Sequence, residues 1–244
     1  MRPPHRRAPQ AAPACGLALT LLVLLGGTAC TRQQPPAPAP AAAVPALTTG
    51  QAELLALTRF TNYRRGTAEV TADIPAQGHP ARLTGRLDWR HFTGLAVLQG
   101  NGGVLGHGRH LLRWDRATVS VRHDWTSALP ATPPHDGWAR RPLTARASTI
   151  DTTLLLLLNL AADRPDNPQL LAHSGARRLG QEEAGGVTVT VFAGPSGAVP
   201  EAASPQAARP PGRTRYWIDA DGRLRRFSAR LSNGTQWLVA DFPA

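Results

Sequence analysis

The spacing of hydrophobic residues changes along the chain, and each change marks an element. Between 49 and 65, Ala52, Ala56, Phe60 and Tyr63 recur at three- and four-residue intervals, with Leu55 beside them. That spacing predicts an amphipathic helix, with Thr48 or Thr49 as its cap. From 67 the period falls to two. In GTAEVTADI, Ala68, Val70, Ala72 and Ile74 alternate with Thr67, Glu69, Thr71 and Asp73; in ARLTGRLDWR, Ala81, Leu83, Leu87 and Trp89 alternate with Arg82, Thr84, Arg86 and Asp88. Such alternation predicts antiparallel strands with one wet face. Further strand-like segments lie near 91–98, 104–114 and 117–124, broken by a Gly-rich turn at 100–103.

A Pro-containing stretch, 126–148, reads as a long loop around Trp138. After it, 149–162 is TIDTTLLLLLNLAA. The five consecutive Leu from 154 to 158 point all round a helix, so this helix is expected to be buried on most sides. Asp151 suits its positive end, and Asp163, Pro165 and Pro168 end it. Strands return at 176–183 and 187–192 around Gly185-Gly186, and 194–213 reads as a disordered loop. Segments 215–219 and 224–231 flank Ala220-Asp221-Gly222; Leu231 and 235–242 flank Ser232-Asn233-Gly234. Asp-Gly and Asn-Gly are strong hairpin signals.

These turns are too short for parallel crossovers. The pattern therefore predicts an α+β fold: a strongly curved antiparallel sheet, a half-open barrel of about 8–11 strands, with helices packed on its concave face. The enclosed space is either a packed core or a cavity.

The ends carry a different message. Residues 1–16 are basic and Pro/Ala-rich, and 17–25 is an apolar run, followed by Gly26, Gly27, Thr28, Ala29 and Cys30. This is the order of a secretory signal, 1–29, and nine residues fall short of the about 20 that a spanning helix needs. Small residues directly before Cys30 resemble a bacterial lipobox, in which the Cys becomes a lipidated N-terminus. Gly27 stands where lipoboxes usually carry Leu, and Gly27-Thr28-Ala29 also suits ordinary signal peptidase, so plain secretion and an uncleaved anchor stay open. Cys15 lies inside the signal, which leaves Cys30 without a disulfide partner in the mature chain. Residues 30–47 read as a Pro/Ala-rich tether, and 48–244 as the folded domain.

The whole chain has 244 residues, a hydrophobic content of 42% and a net charge of +11. All 27 basic residues are Arg. The folded part holds 23 Arg against 16 acids, or +7. The clusters Arg64-Arg65, Arg140-Arg141, Arg177-Arg178 and Arg223/Arg225/Arg226/Arg230 could meet anionic head groups, but with Lys absent Arg must also supply every solubilising cation. An exported chain with 13 aromatics and no recognition motif is not expected to bind nucleic acid. His107 and His110, three apart on a strand, face opposite sides, which argues against a metal pair. Asp219-Ala-Asp221-Gly222 lacks the Glu of a calcium loop and reads as a turn. No spacing singles out a nucleophile with its base, so the chain is expected to be no enzyme.

Order and texture together resemble the LolA-like superfamily, and within it the actinobacterial LppX/LprG-type lipoproteins. The resemblance rests on Cys30 and its tether, the first helix, the meander, Gly137-Trp138 before the Leu-rich helix, Gly180-Gln-Glu-Glu-Ala-Gly-Gly186, and Tyr216-Trp-Ile-Asp-Ala-Asp-Gly-Arg-Leu-Arg-Arg226. It implies a half-open barrel carrying acyl chains in an apolar cavity, with no catalytic residues. The expectation is then an envelope protein, lipid-anchored at Cys30 on the extracytoplasmic face of the membrane, that binds and transports a lipid or acylated molecule. Leu154, Leu156, Leu157, Leu158, Leu160, Trp89 and Trp138 are the expected cavity lining. No cofactor or metal is needed, and a monomer is expected. The alternative is a module of the same fold that docks a partner protein and carries no ligand.

Overall fold

The computed structural model describes residues 46–75, 80–101, 105–145, 147–196, 212–231 and 236–243. The signal, nearly all of the tether and most of the 194–213 loop lie outside them.

Helix α1 spans Thr49–Arg65 and opens with a capping box: Thr48 accepts from the Gln51 amide while the Gln51 side chain accepts from the Thr48 amide. Gly66, at φ 82°, ends it in a conformation that an L side chain resists. The buried stripe is Ala52, Leu55, Ala56, Thr58 and Asn62. It is rotated from the expected face, and Phe60 and Tyr63 lie at its half-buried margin.

Eleven strands follow: β1 (Thr67–Ile74), β2 (Ala81–Asp88), β3 (Thr93–Asn101), β4 (His107–Trp114), β5 (Thr118–Arg122), β6 (Ala139–Pro142), then β7 (Arg177–Ala184), β8 (Val187–Ala193), β9 (Thr214–Asp219), β10 (Leu224–Ala229) and β11 (Leu238–Asp241). Helices α2 (Thr149–Asn159) and α3 (Pro168–His173) separate β6 from β7. All pairings are antiparallel, and the sheet order is β6-β5-β4-β3-β2-β1-β11-β10-β9-β8-β7. Two meanders are thus joined where β1 meets β11, and the sheet is curved but not closed.

Three details differ from the sequence reading. The 126–148 loop contains β6, whose largely exposed ARRP sequence shows no alternation of buried and exposed residues; it pairs with β5. The Leu-rich helix stops at Asn159, short of Ala162, because Leu160 already turns. Pro168, expected only to end a helix, instead starts α3 as its first residue, with Asn167 as the cap.

Strand alternation sends Ala68, Val70, Ala72, Ile74, Leu83, Leu87, Ala96, Leu98, Leu112 and Trp114 to the concave face, under α2. Gly94 permits this packing: a Cβ there would strike the Trp114 ring. The opposite face carries two smaller apolar clusters, Leu95-Val97-Leu111 and Ala184-Val189-Val191-Trp217. The first is covered by the 125–138 loop, which arginines strap down. Arg109 donates to the Thr126 and Ser127 carbonyls, Arg122 to Asp136, and Arg86 to Ala131.

Candidate functional site

Helix α2 is held at both ends. Ser148 caps it, accepting from the Asp151 amide at 3.0 Å. Asp151, buried inside the first turn, receives both guanidinium nitrogens of Arg141 at 2.7 and 2.6 Å. Burial alone would raise the Asp151 pKa. The Arg141 hydrogen bonds and charge, the Thr144 amide and Ser148 outweigh it and hold the carboxyl below the usual range. At the other end the last carbonyls, which no helical amide can reach, are taken by side chains. Trp89 donates to Leu157 at 3.0 Å, Arg59 to Asn159 at 3.0 Å and Asn62 to Leu160 at 2.8 Å. Trp114 adds a bond to the Leu154 carbonyl at 3.2 Å.

The expected lining residues fall into three groups. Leu154, Leu157 and Leu158 are fully buried, and Trp89 packs beneath them against Phe242; these four are core. Leu156 and Leu160 face an open apolar cleft. Trp138 does neither. It lies on the convex face with Leu95, Val97 and Leu111, its indole donating to Pro134 and Arg113 standing over its ring at 5.3 Å. The loop that carries it crosses outside the sheet, so it is placed away from α2.

The cleft has a volume of about 610 Å3 and lies between α1, α2, α3 and strands β9–β10. Leu55, Leu156, Leu160, Leu171, Tyr216 and Phe227 supply most of its apolar wall. Tyr216 and Phe227 lean together with ring centres 5.2 Å apart. Burial pushes the Tyr216 phenol pKa up. Arg59 and Asp166, paired at 2.9 Å, are the charged residues among the described lining. Helix α3 forms one lip: none of its residues is buried, and Leu170 is 70% exposed.

Several of these positions escaped the sequence reading. Leu170, Leu171 and the α3 cap Asn167 sit in a segment whose two prolines mask its helical turn. Tyr216 and Phe227 read as ordinary strand residues; only the cross-strand register that places them side by side reveals the floor.

Of the histidines, His107 is exposed and His110 buried on the concave side, its ring edge-on to His123 at 5.1 Å. Among the described residues neither His110 ring nitrogen has a hydrogen-bond partner. Burial, then the neighbouring His123, lowers its pKa. Among the described residues no three metal-ligating side chains gather. Asp219 accepts from the Asp221 and Arg223 amides and from Arg225, with Gly222 at φ 76°, which makes a hairpin turn of the 219–222 segment.

No family model matches the chain, and no curated protein matches it. Among solved structures, the chain is similar to the Mycobacterium tuberculosis lipoprotein LppX, at 16% identity and a TM-score of 0.43, over 78% of this chain and 93% of that one. It is also similar to MucB, at 14% identity and a TM-score of 0.37, over 78% of this chain; it spans 54% of MucB.

Proposed function

We propose that this chain is a lipoprotein of the cell envelope that binds the acyl part of a lipid or acylated molecule in the cleft beside α2, anchored through Cys30 as a monomer. The observation that carries this reading is the cleft itself: about 610 Å3, walled by aliphatic and aromatic side chains, with a short helix at its lip that buries none of its residues fully. Ligand pockets run about 300–1,000 Å3. Each methylene buried gains about 0.8 kcal/mol, so eight methylenes contribute about 6 kcal/mol before ordering costs. Chemistry is not required of such a site. A carrier's outward transport would follow from the same site, with α3 moving aside.

The test is native mass spectrometry of the full-length chain purified from a bacterium in mild detergent. About one lipid per chain is expected, and Leu156→Trp, which fills the cleft, should abolish most of it. A parent protein that carries no lipid, even after incubation with a total lipid extract, would refute the reading and favour docking of a partner protein.

A further inference from the structure

A second cleft, of about 480 Å3, lies against the first. The two share Arg59, Asp166 and Asn167, and the second is lined besides by Phe92, Arg116, Asp163 and Arg164. One is apolar, the other charged, and the Arg59–Asp166 pair forms the wall at which they meet.

We infer that the ligand is an amphiphile whose anionic head, a phosphate or carboxylate, is held by Arg116 and Arg164 beside Arg59, while its acyl part fills the apolar cleft. This rests on the lipid-binding reading above. A wholly apolar ligand would end against an ion pair, whereas an amphiphile places its head across that boundary. The charges on the far side are unequally committed. Arg59 is satisfied by Asp166 at 2.9 Å. Arg164 reaches Asp163 only at 3.9 Å, with both side chains largely in water, a contact worth little. Arg116 has no carboxylate partner among the described residues. Its guanidinium lies over the Phe92 ring, 3.5 Å from the centroid. Stacking fixes the plane of the fork and leaves its N–H edges for an incoming oxyanion. Three Arg against two Asp leaves one positive charge in excess, and an anion bound there meets two weakly held guanidinium groups.

The test loads the full-length chain, in a non-ionic detergent, with an equimolar mixture of phosphatidylglycerol, oleic acid and diacylglycerol, the two glycerolipids carrying the same chains. Native mass spectrometry counts what is bound. The expected result is a preference of about tenfold or more for phosphatidylglycerol over diacylglycerol, as charge-assisted hydrogen bonds would give. Oleic acid bound to the same degree identifies a general anion site, and oleic acid left behind identifies a phosphate site; both support the inference. In Arg116→Gln and, separately, in Arg164→Gln the preference should shrink several-fold while total lipid bound stays constant. Both residues are exposed, so tryptophan fluorescence should show unchanged folds. Diacylglycerol bound as well as phosphatidylglycerol by the parent overturns the anionic head and leaves the lipid-binding reading standing. Absence of all three lipids overturns both.

Discussion

Arg141→Ala tests whether the buried carboxylate of α2 depends on a single partner. The Asp151 side chain is 1% exposed, and Arg141 is 33% exposed. Removing the Arg leaves an uncompensated charge inside the first turn of the helix. Breaking a buried pair this way costs about 3–5 kcal/mol, and the partial exposure of Arg141 puts the expected value near about 3 kcal/mol. Asp151→Asn alone should cost only about 1–2 kcal/mol, because the freed guanidinium can turn to water. In the Arg141→Ala background the same Asp151→Asn change should become stabilising by about 1 kcal/mol, since it removes the stranded charge. Urea unfolding followed by tryptophan fluorescence measures all four proteins, provided the denaturant slope is unchanged. The pH dependence reverses as well. In the parent the Asp151 pKa is depressed, so its contribution is full above the unfolded value near about 3.9 and is lost as pH falls through the lower folded value. In Arg141→Ala burial is opposed only by the Thr144 amide and Ser148, so the folded pKa rises; the penalty is full at neutral pH and is relieved on acidification. The stability gap between parent and variant should therefore narrow from pH 7 to pH 4.5. A cost under about 1 kcal/mol, or an Asp151→Asn change that destabilises both backgrounds equally, would refute the reasoning.

Three further outcomes follow from the structure, and a fourth from the sequence. Leu157→Ala, at a fully buried position, should cost about 2–5 kcal/mol in urea unfolding, whereas Leu156→Ala at the cleft wall should cost about 1 kcal/mol or less. The His110 pKa is lowered, so its contribution is complete above the unfolded value near about 6.5 and is lost as pH falls; His110→Phe should flatten the stability profile between pH 7 and 5, and an unchanged slope would contradict it. Amides of 169–173 should exchange with solvent well before those of 152–158, as hydrogen-exchange mass spectrometry can read, because α3 buries no residue. Cys30→Ala should release the protein from the membrane fraction into the medium, as seen by fractionation and immunoblot.

The fold was legible where pattern and packing agree. Strict alternation in 67–74 and 81–88 marks the faces of β1 and β2, and the Thr48-Thr49 pair marks the start of α1, with the structure choosing Thr48 as cap. β6 was not legible, since an edge strand with the sequence ARRP has no buried side to leave a pattern. The candidate site was half legible. A run of five Leu announces a buried helix, but it does not say which Leu faces packed indoles and which faces open space. Trp138 shows the same gap: an aromatic residue in a loop can cover either side of a sheet, and the choice was made by Leu95, Val97 and Leu111 on the outer face and by the arginine-held path of the loop. Asn62 and Thr58 read as polar positions on a helix, yet both are buried, because α2 offers Asn62 an orphan carbonyl and Thr58 bonds back to Leu54.

Where the open space lies is decided by side-chain size and by how firmly each cover is held. Beneath α2 the floor is made by Trp89 and Trp114, and each indole N–H is committed to an α2 carbonyl. Lifting α2 would break both bonds and strand Asp151 away from Arg141, so a cavity directly under the Leu run is excluded by the residues that fill it. On the β9–β10 side the floor is Tyr216 and Phe227, and the cover is a six-residue helix that packs on α1 and on the core through the half-buried Leu171 and Ala172, with none of its residues fully buried. That cover has little burial to lose on opening. The buried leucines of α2 therefore form the packed wall of the cleft, and Leu156 and Leu160, which line it, mark where packed core gives way to open space.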